Sequence, residues 1–249
     1  MDFTLERFKE IHRNEFARRN FLGIADYEYV SARTLYRNEC YDQFLTMAHQ
    51  CVEKYLKAIL LYNNQNTKFG HDIEKGLNRV NKISEVKLEG STSSFIKELD
   101  QVRFARYLTG PFYGRGDFLL NLDCSVWDLR LFCHNLKKPN FRLKDDKSKQ
   151  NILNITLKGY GIIFSGELEN IIKNRNGKHS KLKENLIWKN FRYGKRRKNS
   201  IKNFSDRSWS KNPSFLLNGS DAENKKCYEY LKEYVNFEKE VNDYFSNIS

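Results

Sequence analysis

The sequence predicts an all-α protein: a bundle of four to five helices over residues 1–137, then a basic extension over residues 138–249 that ends in a long amphipathic helix. Apolar residues recur three or four positions apart through the first half. The longest such run, Asp42 to Tyr62, holds no Gly or Pro. Positive charge is concentrated beyond the bundle: residues 1–136 carry 19 Lys plus Arg against 18 Asp plus Glu, whereas residues 172–212 carry 14 against 2.

The elements run in order along the chain. A first helix reads Asp26 to Arg37, with Tyr29, Ala32, Arg33 and Tyr36 on related faces. In the second, Asp42 to Tyr62, Leu45, Ala48, Val52, Tyr55, Leu56, Ile59 and Leu60 form a broad apolar face, as expected of a helix buried between others. Asn63-Asn64-Gln65-Asn66 ends it, because short amides compete for backbone hydrogen bonds. Asp72 is placed to cap the next helix, which turns Ile73, Leu77 and Val80 inward. A Ser- and Glu-containing linker, Ser84 to Ser94, leads to a helix from Phe95 to Tyr107 and the turn TGPFYGRG. The last bundle helix runs from about Asp117 to Leu136, with Leu119, Leu122, Val126, Leu129 and Phe132 or Cys133 at helical spacing.

Beyond the bundle, Lys137 to Gln150 reads as a linker and residues 152–164, ILNITLKGYGIIF, as a short hairpin or strand. Residues 166–173 read as a short helix. The chain closes on a helix over residues 220–246, which Asp221 can cap, with Cys227, Tyr230, Leu231, Tyr234, Phe237, Val241, Tyr244 and Phe245 as its stripe.

Residues 47–74, MAHQCVEKYLKAILLYNNQNTKFGHDIE, carry a family resemblance. His49-Gln50-Cys51-Val52-Glu53-Lys54-Tyr55-Leu56-Lys57-Ala58, then His71-Asp72-Ile73, then Arg106-Tyr107-Leu108, resemble the ordered landmarks of the HEPN family over roughly residues 20–137. The resemblance implies a helical bundle that forms a homodimer, is frequently partnered by a small nucleotidyltransferase, and in a subset of members cleaves RNA without metal through an Arg and a His near the final helix. Here the candidate catalytic pair is Arg130 and His134, with three residues between them, fewer than in those members, and an apolar residue after the Arg. Cleavage without metal needs a group that exchanges protons near neutral pH, which His supplies, and a fixed cation beside the phosphorane, which Arg supplies. The alternative reading of Arg130 and His134 is structural, with His134 near a helix C-terminus. Glu53 and Lys57 read as a surface i,i+4 pair.

Nucleic-acid contacts are expected at two places. Arg103 and Arg106 with Tyr107 precede a glycine-rich turn, and residues 172–212 interleave cations with Trp188, Phe191, Tyr193, Phe204 and Trp209. Within that segment Trp188, Arg192, Tyr193, Lys195, Arg196, Arg197 and Lys198 are the candidate contacts. Cations neutralise phosphates and aromatic faces stack on unpaired bases, so the composition suits single-stranded or looped RNA better than a duplex. The competing reading is a solvated basic loop whose aromatics make a small core.

Cys40, Cys51, Cys124, Cys133 and Cys227 are scattered, and the sequence has no zinc, P-loop, nucleophile-elbow or HExxH pattern. No metal and no cofactor are expected. No stretch approaches 18 consecutive apolar residues, and residues 1–15 lack the apolar core of a signal peptide. A soluble, cytoplasmic protein without membrane contact is expected. Two function classes remain: an RNA-binding protein, in one form a toxin- or defence-type ribonuclease, and a non-catalytic nucleotide-binding or assembly module for a nucleotidyltransferase.

Overall fold

The computed structural model describes residues 5–101, 112–134, 166–173, 180–193, 208–211, 220–235, 237 and 239–247. Its architecture is a helical bundle, as the periodicity predicts. Helix α1, Leu5–Phe16, runs through a π-helical stretch, Ala17–Leu22, into α2, Gly23–Arg37, and the Gly23 N–H reaches back to the Arg18 carbonyl. The chain reverses at Asn38–Cys40, where Glu39 takes φ 60°, and returns as α3, Tyr41–Tyr62. Helices α4 (Ile73–Val80), α5 (Gly90–Gln101) and α6 (Phe118–Leu131) complete the bundle.

Helix α3 is the central element, burying Phe44, Leu45, Ala48, Val52, Tyr55, Leu56 and Ile59 among Tyr29, Leu77, Phe95, Phe118 and Val126. Fully burying a side chain of this kind contributes about 1.5–3 kcal/mol, so this layer dominates the stability of the bundle. Helix starts are fixed by carboxylates. Asp72 accepts from the Lys75 N–H at 2.7 Å, Asp100 from the Ile73 N–H at 2.8 Å, and Asp128 from the Glu89 N–H at 2.8 Å. Unpaired N–H groups of a first turn are satisfied and the dipole favours negative charge there.

Several boundaries differ from the sequence expectation. Residues 90–94, expected as linker, are the first turns of α5, because Asp128 supplies a cap from across the core. Helix α6 stops at Leu131, so His134 lies past its end, with its own N–H on the Phe132 carbonyl. Helix α7 is Glu167–Lys173, within the short helix expected at 166–173, whereas α1 and α8 (Ser180–Ile187) have no counterpart in the sequence expectation. The closing helix is two helices, α9 (Asp221–Leu231) and α10 (Lys239–Ser246), because the stripe folds back on itself: Tyr228, Val241 and Phe245 form a small separate core. The Ser220–Glu223 capping box starts α9. The hairpin expected at 152–164 lies outside the described residues.

The described segments between residues 166 and 211 belong to the main core. Helix α7 buries Leu168, Ile171 and Ile172, and α8 with its succeeding turn buries Leu186 and Tyr193, all in the cluster built on α2, α3 and α6. A two-stranded antiparallel ribbon joins β1, Phe112–Gly114, to β2, Trp209–Lys211, with Gly114 opposite Trp209. The Trp209 ring stacks on Tyr41 with centroids 4.7 Å apart and an interplanar angle of 10°.

Candidate functional site

Helices α2 and α6 each carry an Asp and, seven residues on, an Arg: Asp26 and Arg33, Asp123 and Arg130. Seven residues are two helical turns, so each Asp and its Arg share a face. The helices face each other so that the pairs cross, Asp26 with Arg130 and Arg33 with Asp123, all four side chains buried.

Arg130 is the hub of the first pair. Its Nη1 and Nη2 each donate to a Glu169 oxygen at 2.7 Å, a bidentate fork. Nη2 also donates to Asp26 Oδ2 at 3.1 Å, Nε lies 3.0 Å from Asp26 Oδ1, and Nη1 donates to the Tyr193 hydroxyl at 2.7 Å. Tyr55 donates to Asp26 Oδ1 at 2.6 Å. Burial raises the Asp26 pKa from its ordinary value, and Arg130 works against that rise. Burial works against the Arg130 charge, but Asp26, Tyr193 and Glu169 outweigh it and hold the guanidinium protonated. The Asp26 carboxylate also accepts the Glu167 and Leu168 N–H groups, capping α7.

The second pair caps the other end. Arg33 donates to Asp123, to the Asn185 carbonyl at 3.1 Å and to the Trp188 carbonyl, covering the C-terminus of α8. Tyr29 donates to Asp123 Oδ1 at 2.6 Å and receives the Asn190 amide at 2.8 Å, while Asn190 Oδ1 accepts the N–H groups of Arg192 and Tyr193.

These placements settle where several expected site residues sit. Arg130, 2% exposed, spends its fork on buried carboxylates and presents nothing to a phosphate. His134 is half-buried, its carbonyl accepts the Asn63 amide at 3.2 Å, and burial lowers its pKa. It does not share a helical face with Arg130, because α6 has ended. Tyr193, expected to contact nucleic acid, is fully buried between Tyr29 and Trp127. Trp188 is half-buried under the Arg37 guanidinium, 5.5 Å from its ring centroid, and the Lys189 ammonium at 5.2 Å. Arg192 lies 5.8 Å over the Trp127 ring. Arg103, Arg106, Tyr107, Lys195, Arg196, Arg197 and Lys198 lie outside the described residues.

Glu53, Lys57 and His71 form a linked group, with Lys57 Nζ 2.5 Å and His71 Nδ1 3.0 Å from the Glu53 carboxylate. Although Glu53 is partly desolvated, these two partners hold its pKa below the usual carboxylate range. A cavity of about 380 Å³ opens at the C-terminal end of α3, lined by Leu60, Asn63, Asn66, Arg79, Lys82 and Glu85 among others. Among the described residues no group of three or more His, Cys, Asp or Glu is placed to hold a metal ion, and no helix is long and apolar enough to cross a membrane.

A family model described as HEPN domain matches residues 19–118. Over these residues the chain is similar to HEPN domains. It spans α2 through α5 and β1 and ends at the first residue of α6, so the Glu53–Lys57–His71 group lies inside the HEPN match while Arg130 and His134 lie beyond it. Comparisons with curated proteins and with solved structures gave no match.

The residues that sequence reasoning misses are Asp26, Asp123, Glu169, Asn185 and Asn190. Only the first two leave a signal: with Arg33 and Arg130 they are charges on otherwise apolar stripes at two-turn spacing, twice over.

Proposed function

We propose that this HEPN-like protein binds RNA through the cations of residues 172–212, with the bundle as its scaffold. HEPN domains are RNA-associated or nuclease-type in general. The observation that carries the reading here is that an excess of 14 basic over 2 acidic residues falls in a segment whose buried members fasten it to the bundle while Lys173, Lys181 and Lys189 stand exposed. A cationic surface held on a rigid core releases counterions from a polyanion without a large ordering cost.

Within this reading the protein binds without cleaving, and Arg130 and His134 serve the fold. The support is the Arg130 fork, fully taken by Asp26 and Glu169. Purified protein with structured RNA under EDTA, beside a His134→Ala variant, tests this: intact RNA in both is expected, and cleavage by the unaltered protein that the variant lacks would restore the ribonuclease reading. Charge reversal at Lys195–Lys198 tests binding, with weaker affinity and a shallower salt dependence expected.

A second reading has its own support. Helix α1 exposes Leu5 (67%), Phe8 (48%), Ile11 and Phe16 (52%), an apolar face for a second protomer or a nucleotidyltransferase-type partner to cover. HEPN domains often work as dimers or beside nucleotidyltransferases. Sedimentation of the purified chain against a Phe8→Glu/Phe16→Glu variant separates a dimer from a monomer.

A further inference from the structure

A basic segment rich in aromatics reads, in sequence, as a surface for unpaired bases, and the positions of Trp188, Tyr193 and Trp209, among the described residues, argue otherwise. Tyr193 is fully buried, and its hydroxyl accepts from Arg130. Trp209 stacks flat on Tyr41 and packs against the main core, with Gly114 so close that a Cβ there would overlap the indole. Trp188 packs against the same core beneath Arg37, and Phe191 lies under the Arg192 guanidinium at 5.5 Å. Tyr193, Trp209 and Trp188 are thus anchors fastening the segment to the bundle.

The cations around them do the opposite. Lys181 and Lys189 are exposed, and the acidic Glu184 between them is neutralised by Arg37 at 2.7 Å, so the outward charge of this stretch is positive. Lys189 holds a positive φ of 44° directly after Trp188, in the turn that leads from α8 to the Asn190 anchor.

We infer that the RNA taken by this face is duplex, such as a hairpin stem, held through its phosphates and not through unpaired stacked bases. The inference rests on the RNA-binding reading and names its substrate class. A single strand gains about 1–3 kcal/mol per base from stacking on an aromatic platform. Among the described residues these rings are turned into the core, and the choice then falls to charge density, where duplex is favoured: each phosphate contact steepens the salt slope by about 0.9 for a duplex against about 0.7 for a single strand. Phosphate contacts carry no base information, so binding is sequence-independent.

The test uses the full-length chain with a fluorescently labelled RNA hairpin and an unstructured oligouridylate of equal phosphate number, titrated across salt concentrations. The hairpin is expected to bind at least ~5-fold more tightly, with Trp emission unquenched. Trp188→Phe, which keeps an anchoring ring, is expected to leave hairpin affinity within about twofold, whereas Lys181→Glu/Lys189→Glu weakens it roughly tenfold and flattens the salt slope by about 2. Equal or tighter binding of the oligouridylate, Trp quenching, or a large loss from Trp188→Phe would overturn the duplex assignment and leave RNA binding standing. Binding of neither RNA would overturn both.

Discussion

Arg33 meets Asp123 in the core of the bundle, and both side chains are fully buried. Two turns away on the same helices Asp26 meets Arg130 in the reverse sense. Asp26, Arg33 and Arg130 each have a second partner in the later part of the chain. Asp26 caps the start of α7, Arg33 caps the end of α8, and Arg130 holds Glu169 and Tyr193. Charges on two bundle helices thereby fix the placement of α7, α8 and the turn that ends at Tyr193.

Removing one partner of such a pair leaves a charge buried without compensation. Arg33→Met is expected to cost about 3–5 kcal/mol, because Asp123 is then desolvated with only Tyr29 to satisfy it. Arg33→Met/Asp123→Leu is expected to recover most of that loss, since a buried ion pair replaced by apolar side chains is often neutral. Guanidinium unfolding of the three proteins decides it. A single variant as stable as the unaltered chain would mean that the pair contributes nothing to the core.

The same network predicts how truncation behaves. A chain ending at residue 137 leaves Arg130 without Glu169 and Tyr193 and Arg33 without its two carbonyls. A loss of several kcal/mol corresponds to roughly 10 °C or more in Tm for a chain of this size. A chain ending at residue 219 removes only α9 and α10, whose core is separate, and is expected to melt within about 3 °C of the full chain. Thermal unfolding followed by circular dichroism distinguishes them. Equal melting of the 137-residue and 219-residue chains would show that residues 138–219 add nothing to the bundle.

The contrast between α3 and α8 explains what is legible in the sequence. Helix α3 is amphipathic over 22 residues with no breaker, so its period alone identifies it, and Asp72 marks the next start by a local rule. Helix α8 has eight residues and one fully buried side chain, Leu186, and it is held by groups more than a hundred residues away. With one buried position in the segment, periodicity has nothing to register. Tyr193 and Trp209 mislead for a related reason: sequence shows that a ring stands among lysines but not which way it faces, and facing depends on Tyr29, Tyr41 and Trp127. Arg130 resembles a catalytic residue in sequence because Glu169, which occupies it, lies 39 residues downstream.

At the β1–β2 ribbon the backbone of Gly114 lies against the Trp209 indole, and a Cβ there would overlap the ring. Gly114→Ala is expected to cost about 1–3 kcal/mol through overpacking and to displace Trp209 from Tyr41. Trp emission is the readout, with a red shift expected as the indole meets water. An unchanged spectrum with unchanged stability would mean that the ribbon accommodates a methyl group without moving the ring.

His134 gives the chain a titration of known sign. Burial holds its pKa below the ordinary value of 6.5, so the folded protein binds that proton less readily than the unfolded chain does. Stability from this group is therefore complete above about pH 6.5 and declines as pH falls toward the lower folded pKa, below which the loss is constant. His134→Gln keeps a polar side chain without the titration. Between about pH 7 and pH 5 the unaltered chain is expected to lose more Tm than the variant, and the gap should widen as pH falls. Parallel declines would mean that the imidazole takes up its proton as easily in the folded state as in the unfolded one, which its desolvated position past the end of α6 opposes.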